Sequence, residues 1–270
     1  MVDFMGRFNM SNTQNFYDKD HIYFLEKLWG DGYMSPGGAT EVQKIFGEVN
    51  TRNARVLDIG CGSGGITISI INEFNAKKVI GIDVEDDVCS AAKTRVKQAG
   101  LEKQIEIRKV DPGPLPFRDL TFDIVFSKDS LVHISDKEKL LKEIFRVLKP
   151  GGSFIASDWL RSHDGPPSRE MLRYLELEDL GFDMASPQRY KKALREAGFT
   201  NIALENRNSW YTQQAHKELL TLSEYRRDEF EKISSAEYMS LSIETWKAMI
   251  KVLESGEHCP HHLKAFKLAN

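Results

Sequence analysis

The chain has 270 residues, 41% of them hydrophobic and 29% charged, with a formal net charge of −3. That composition excludes a disordered chain and supplies apolar side chains for a full core; the lack of a long apolar run argues against a membrane partner, and the slight negative charge against general nucleic-acid binding. One elaborated domain, or a domain with a cap, is expected at this length, because a single core stops growing at roughly 250–300 residues.

The opening stretch MVDFMGRFNMSNTQNFYDKD lacks the charged and apolar regions of a secretory signal. Cys61, Cys89 and Cys259 show no paired spacing, which fits reduced thiols and a cytoplasmic protein. Residues 1–53 carry a predicted helix, DKDHIYFLEKLWG, the turn-rich GYMSPGG and a second helix, ATEVQKIFGEV. In residues 54–156 five predicted strands, RVLDIG, KKVIGIDV, QIEIRKVD, FDIVFSKD and GSFIASDW, alternate with the helical patterns ITISIINEFN, DDVCSAAKTRVKQAG and DKEKLLKEIFRVLKPGG. This alternation predicts a mainly parallel sheet with helices on both faces. Ligands gather there at the carboxyl ends of the strands, near the point where strand order reverses.

Residues 157–270 predict helices in SREMLRYLELEDLGF and SPQRYKKALREAG, a strand FTNIALENR, helical segments from Thr212 to Glu254 and a closing strand, HLKAFKL. The helices outside the alternating core have one apolar stripe each and read as a lid. The expected organisation is an N-terminal helical lid segment (1–53), a cofactor-binding core (54–156) and a helical cap with the closing strands of the sheet (157–270). The run HCPHH, His258 to His262, is the one tempting metal cluster. Its proline interrupts any helical face and no second ligand group stands nearby, so it reads as a solvated loop, with no metal expected.

The first strand runs into Asp58-Ile59-Gly60-Cys61-Gly62-Ser63-Gly64-Gly65. Glycines there let the backbone turn sharply and approach a ligand closely. Gly60, Gly62 and Gly65 satisfy the dinucleotide pattern GxGxxG, with Asp83 as the ribose acid. Two features favour S-adenosylmethionine instead. Asp58 stands where a carboxylate can face a cationic ligand rather than a pyrophosphate, and the third strand ends in Asp111, suited to an adenine amino group.

The pattern VLDIGCGSGG, GIDV, VDPGPLPF, FDIVFSKD, RVLKPGG resembles the class I S-adenosylmethionine-dependent methyltransferases, over about a hundred residues in the same order. The resemblance implies a Rossmann-like, doubly wound α/β fold with a seven-stranded sheet and a helical lid. It places Gly60 and Gly62 along the methionine part of the cofactor, Asp83 on the ribose hydroxyls, Val84 against adenine and Asp111 on its amino group. For Asp58 the plainer alternative is a loop-capping carboxylate, and for Val84 core packing.

The fourth strand delivers Lys128, Asp129 and His133 to the carboxyl edge, where a methyl acceptor must come. The sulfonium already activates the methyl group, so the protein chiefly aligns a nucleophile and frees its lone pair. A carboxylate binds an ammonium group, and a histidine near its unperturbed pKa of ~6.5 can take the proton. Asp129 and His133 would share one face if the turn between them is helical; otherwise Asp129 caps a helix and His133 is a satisfied buried residue.

Tyr17 in NFYDKDHIYFLEKLWGDGYMSPGG, Gly37 and Gly38, KDSLVHI and the tryptophan helix at Trp246 resemble the phosphoethanolamine N-methyltransferases and, less closely, the sarcosine and dimethylglycine N-methyltransferases. The resemblance implies a Tyr17–His133 dyad closing the site, Met34, Ser35 and Lys128 near the cofactor, and Asp129 beside the acceptor amine. Tyr17 could otherwise pack on the lid. In that family the phosphate is held by tyrosine, arginine and lysine residues of the cap, whereas here Glu176, Leu180 and Met249 fall near those places, and Glu178 and Asp179 would repel a phosphate. An offset of a residue or two would bring Arg173, Tyr174 or Lys247 there. Trp159 is the expected aromatic wall for a methylated cation, worth roughly 0.5–2 kcal/mol per ring; Trp210 and Tyr211 are further candidates.

The function expected is methyl transfer to a small amine of the phosphoethanolamine or sarcosine type, with S-adenosylmethionine as cofactor; whether the acceptor carries a phosphate, and the oligomeric state, are left open. Two alternatives stand: a methyltransferase acting on carbon or oxygen, and a non-catalytic S-adenosylmethionine-binding module.

Overall fold

A computed structural model describes residues 17–269. The chain order is α1 (Lys19–Trp29), α2 (Gly38–Phe46), β1 (Arg55–Ile59), α3 (Gly65–Asn72), β2 (Lys78–Asp83), α4 (Asp86–Gln98), β3 (Ile105–Lys109), β4 (Phe122–Lys128), α5 (Lys137–Val147), β5 (Leu148–Asp158), α6 (Arg169–Glu178), α7 (Pro187–Ala197), β6 (Thr200–Asn206), α8 (Asn208–Leu220), α9 (Arg227–Ile233), α10 (Ala236–Glu254) and β7 (His261–Phe266). The first sixteen residues of the N-terminal lid segment lie outside the described residues.

The sheet has seven strands in the order β3-β2-β1-β4-β5-β7-β6, parallel except where β7 pairs antiparallel with β5 and β6. It is the Rossmann-like fold expected. From β1 the chain moves outward through β2 to β3, then crosses back to β4, so the strand order reverses between β1 and β4. The carboxyl ends of these two strands carry the glycine loop and the Lys128–His133 stretch. Strand β5 begins earlier than expected: the LKPGG that reads as a helix end is extended, with Leu148 paired to Phe122 and a register shift before Ile124. Pro150 cannot continue a helix, which frees this stretch for the sheet.

Two apolar layers cover the faces of the sheet. One packs Leu57, Val125 and Phe154 against α5 and α7, and the other packs Val56, Phe126 and Ile155 against α2, α3 and α4. A third cluster joins Phe24 and Leu25 of α1 to Tyr174, Tyr211, Phe230, Met239 and Trp246 of α6, α8, α9 and α10. The N-terminal and C-terminal helices outside the core thus share one apolar interior, above the carboxyl edge of the sheet.

The HCPHH run is not a solvated loop. His258, Cys259, His261 and His262 are all buried. His262 Nε2 meets Glu41 Oε1 at 2.8 Å, and the Arg207 guanidinium donates to both oxygens of that carboxylate at 2.9 and 3.0 Å. Residues from α2, β7 and the start of α8 are joined there, and a partner more than two hundred residues away in sequence makes burial of the histidine tenable.

Candidate active site

The glycine loop leaves β1 with Gly60 (φ 68°), Gly62 (φ 54°) and Gly64 (φ 94°) in the left-handed region that side chains disfavour. A Cβ on Gly60 would lie 1.8 Å from Ser130 Oγ, and one on Gly65 would lie 2.5 Å from the carbonyl oxygen of Gly32. The loop is thereby clamped between the β4 turn and the segment after α1. Glu26 of α1 strengthens the clamp, accepting from Ser63 Oγ and pairing with Arg95 at 2.7 Å.

Asp83, at the end of β2, accepts backbone N–H bonds from Gly62 (3.2 Å), Val84 (2.8 Å) and Glu85 (3.2 Å). Burial pushes its carboxyl up, against those three donors. Val84 beside it is 45% exposed, not packed in the core, so an apolar surface stands open next to an oriented carboxylate. The Val110 N–H, bonded to the Asp83 carbonyl at 2.9 Å, leads β3 into the exposed Asp111. An oriented acid for a diol, an apolar platform and a second acid for an amino group fit the adenosine of S-adenosylmethionine. Asp58 does not face this edge openly: it is 1% exposed and accepts from Thr67 Oγ1 at 2.6 Å, and burial pushes its carboxyl up to about 7. The Thr67 bond ties the end of β1 to α3.

A cavity of about 530 Å³ lies between the sheet edge and the helical cap. Of the expected site residues, Tyr17, Ser35, Asp129, His133 and Trp159 line it; Gly60, Gly62, Asp83, Val84, Asp111 and Lys128 lie along the adjoining edge. The Tyr17 hydroxyl is 3.4 Å from His133 Nε2, with the rings perpendicular. His133 Nδ1 is 3.0 Å from the Leu180 carbonyl. A carbonyl only accepts, so Nδ1 carries the proton and Nε2 keeps its lone pair. Burial lowers the pKa of His133, outweighing the Leu180 bond, and burial raises that of Tyr17.

The turn between Asp129 and His133 is not an α-helix, so the two do not share the helical face expected of one. Only Leu131–His133 form a single 3₁₀ turn, and Asp129 precedes it in the left-handed region at φ 53°. Asp129 is also no free carboxylate. It pairs with Lys128 Nζ at 2.5 Å and accepts from Ser157 Oγ at 2.7 Å and from the Tyr211 hydroxyl at 2.9 and 3.0 Å. Lys128 donates as well to Ser35 Oγ at 2.7 Å, tying β4 to the Met34–Pro36 turn.

The turn bearing His133 is held from below. Asp158 accepts the Val132 N–H at 2.8 Å and the Tyr190 hydroxyl. The buried Lys137 ammonium donates to the carbonyls of Leu131 (2.8 Å), Ile134 and Asp183 (2.9 Å). Sequence reasoning missed these supports, and it missed Glu218, which receives the indole N–H of Trp29 (2.9 Å) and of Trp246 (3.0 Å). Burial pushes Glu218 up to about 7 despite those donors. Its spacing from Tyr211 and Ala215 on one face of α8 was the readable signal. Among the described residues no group of three or more His, Cys, Asp or Glu side chains is placed to hold a metal.

A family model described as "Methyltransferase domain" matches residues 50–227. Phosphoethanolamine N-methyltransferase 1 of Zea mays is 30% identical over 249 residues, 92% of this chain and 48% of that protein. The glycine/sarcosine/dimethylglycine N-methyltransferase of Actinopolyspora halophila is 29% identical over 86% of this chain and 43% of its own length. The chain spans about half the length of these curated relatives. In solved form, Haemonchus contortus phosphoethanolamine N-methyltransferase 2, in complex with phosphomonomethylethanolamine and S-adenosylhomocysteine, superposes with a TM-score of 0.84 at 26% identity, over 93% of this chain and 58% of that one.

Proposed function

The chain belongs to the methyltransferase-domain family, whose methyl donor is S-adenosylmethionine, and we propose that within it this protein N-methylates a small amine. The observation that carries the reading is His133, held with its Nε2 lone pair toward the Tyr17 hydroxyl in a cavity beside the glycine loop. The division into lid segment (1–53), core (54–156) and cap (157–270) belongs to the same reading, with the two outer parts enclosing the acceptor.

Gly60, Gly62, Asp83, Val84 and Asp111 would hold the cofactor, with Ser35 and Lys128 closing its methionine end. Bound S-adenosylmethionine supplies a methyl group on a sulfonium, which the amine lone pair takes as the S–C bond breaks, leaving S-adenosylhomocysteine. Nitrogen must shed a proton to present that lone pair again, and His133 Nε2 accepts it. Tyr17 orients the imidazole and seals the cavity against water. Asp129 already receives Lys128, Ser157 and Tyr211, which leaves about one of a carboxylate's four acceptor positions for the amine. Trp159 forms the wall. The relatives named for phosphoethanolamine and for glycine, sarcosine and dimethylglycine support nitrogen as the acceptor atom.

The test is release of S-adenosylhomocysteine, followed by mass spectrometry, when the purified chain meets S-adenosylmethionine and a panel of ethanolamine, phosphoethanolamine, glycine, sarcosine and simple alkyl and aryl amines. Turnover with an amine is expected. Cofactor binding without turnover across the panel would reject the reading in favour of another acceptor atom or a binding module.

A further inference from the structure

Resting on the amine-acceptor reading, we propose that the non-reacting end of the acceptor is uncharged and largely apolar, in the manner of an arylalkyl or alkyl amine. No lysine or arginine lines the cavity among the described residues, whereas Asp129, Glu178, Asp179 and Glu218 do. Lys128, whose partners Asp129 and Ser35 line the cavity, is already taken by them. A phosphate or carboxylate on the acceptor needs a cationic fork or a set of N–H donors; here it would meet carboxyl groups and no lysine or arginine among the described residues that line the cavity.

The wall that leads away from His133 is aromatic. The Phe182 ring lies 5.1 Å from that of His133, and Trp159 lies 5.4 Å beyond Phe182, each packed edge to face. Leu180, Met249 and Leu253 line the same cavity. One polar group is offered by this wall: the buried Trp159 Nε1 has no hydrogen-bond partner among the described residues. An indole N–H only donates, so it suits a neutral oxygen on an otherwise apolar body.

The experiment compares kcat/KM of the purified chain for 2-phenylethylamine, tyramine, ethanolamine and phosphoethanolamine, read as S-adenosylhomocysteine release. Burial of a ring that ethanolamine lacks predicts about a ten- to hundredfold preference for 2-phenylethylamine over ethanolamine, with phosphoethanolamine below both. Leu180→Arg and Met249→Lys, each checked for cooperative unfolding, should reverse the order of phosphoethanolamine and 2-phenylethylamine in at least one variant. Phosphoethanolamine turned over faster than 2-phenylethylamine by the wild-type chain, or equal use of ethanolamine and 2-phenylethylamine, would overturn the proposal and leave amine methylation standing. No release with any of the four amines, with cofactor bound, would overturn the proposal, and the same silence with glycine, sarcosine and the rest of the wider panel would overturn amine methylation as well.

Discussion

A histidine that takes a proton from an amine must have its lone pair free at working pH, and burial gives His133 that property by holding its pKa below the ordinary value. The rate should therefore fall on the acid side where His133 becomes protonated, below the ordinary histidine value of ~6.5. His133→Ala should lower kcat by about 10²–10⁴-fold while titration calorimetry shows cofactor affinity unchanged; equal loss of both would make the residue structural. Asp129→Asn removes the partner of an ammonium whose side chain is 1% exposed. It should cost about 3–5 kcal/mol in urea unfolding, against about 1 kcal/mol for Tyr211→Phe, which removes a single hydroxyl. Lys128, Asp129 and His133 were legible as a group at the end of a strand, but the ion pair was not. Neighbours on a strand point to opposite faces, and only the left-handed backbone at Asp129 brings these two together.

The elements around the site are joined by contacts between distant parts of the sequence. Gly65 packs on Gly32 so closely that any Cβ meets backbone. Gly65→Ala should lift the turn after α1 from the glycine loop, weaken cofactor binding and speed proteolysis near residues 30–36, while a variant with wild-type affinity and protection would show that the clamp is dispensable. On α2, burial of Glu41 is opposed by His262 and Arg207, whose bonds hold its carboxyl below the ordinary carboxylate range. A depressed folded-state pKa contributes stability that is present above the unfolded value, ~4.5, and is lost as pH falls through the folded one. Glu41→Gln should accordingly lower stability at pH 7 and flatten its acid dependence, measured by urea unfolding at several pH values. The helices and strands themselves were readable from periodicity. The burial of His258–His262 was not, because a local reading cannot see Glu41, and a proline flanked by histidines looks like a loop when its partners are invisible.

At the scale of the molecule, the order of the sheet places the reversal point between β1 and β4, and the two helical blocks outside the core close over it with one shared apolar cluster. The βαβ alternation and the glycine loop made the sheet and the cofactor legible. The cap was less so, since an amphipathic helix announces which face is buried but not against which neighbour; Glu218 between two indoles depends on α1, α8 and α10 at once. No helix among the described residues is long and apolar enough to cross a membrane. The most direct measurement is to supply S-adenosylmethionine carrying a ¹³C-labelled methyl group together with an amine that supports turnover, and to locate the label in the product by NMR. The account predicts a methyl carbon bonded to nitrogen, formed by the wild-type chain and lost in His133→Ala. A label on carbon or oxygen, or one transferred equally well without His133, would contradict it.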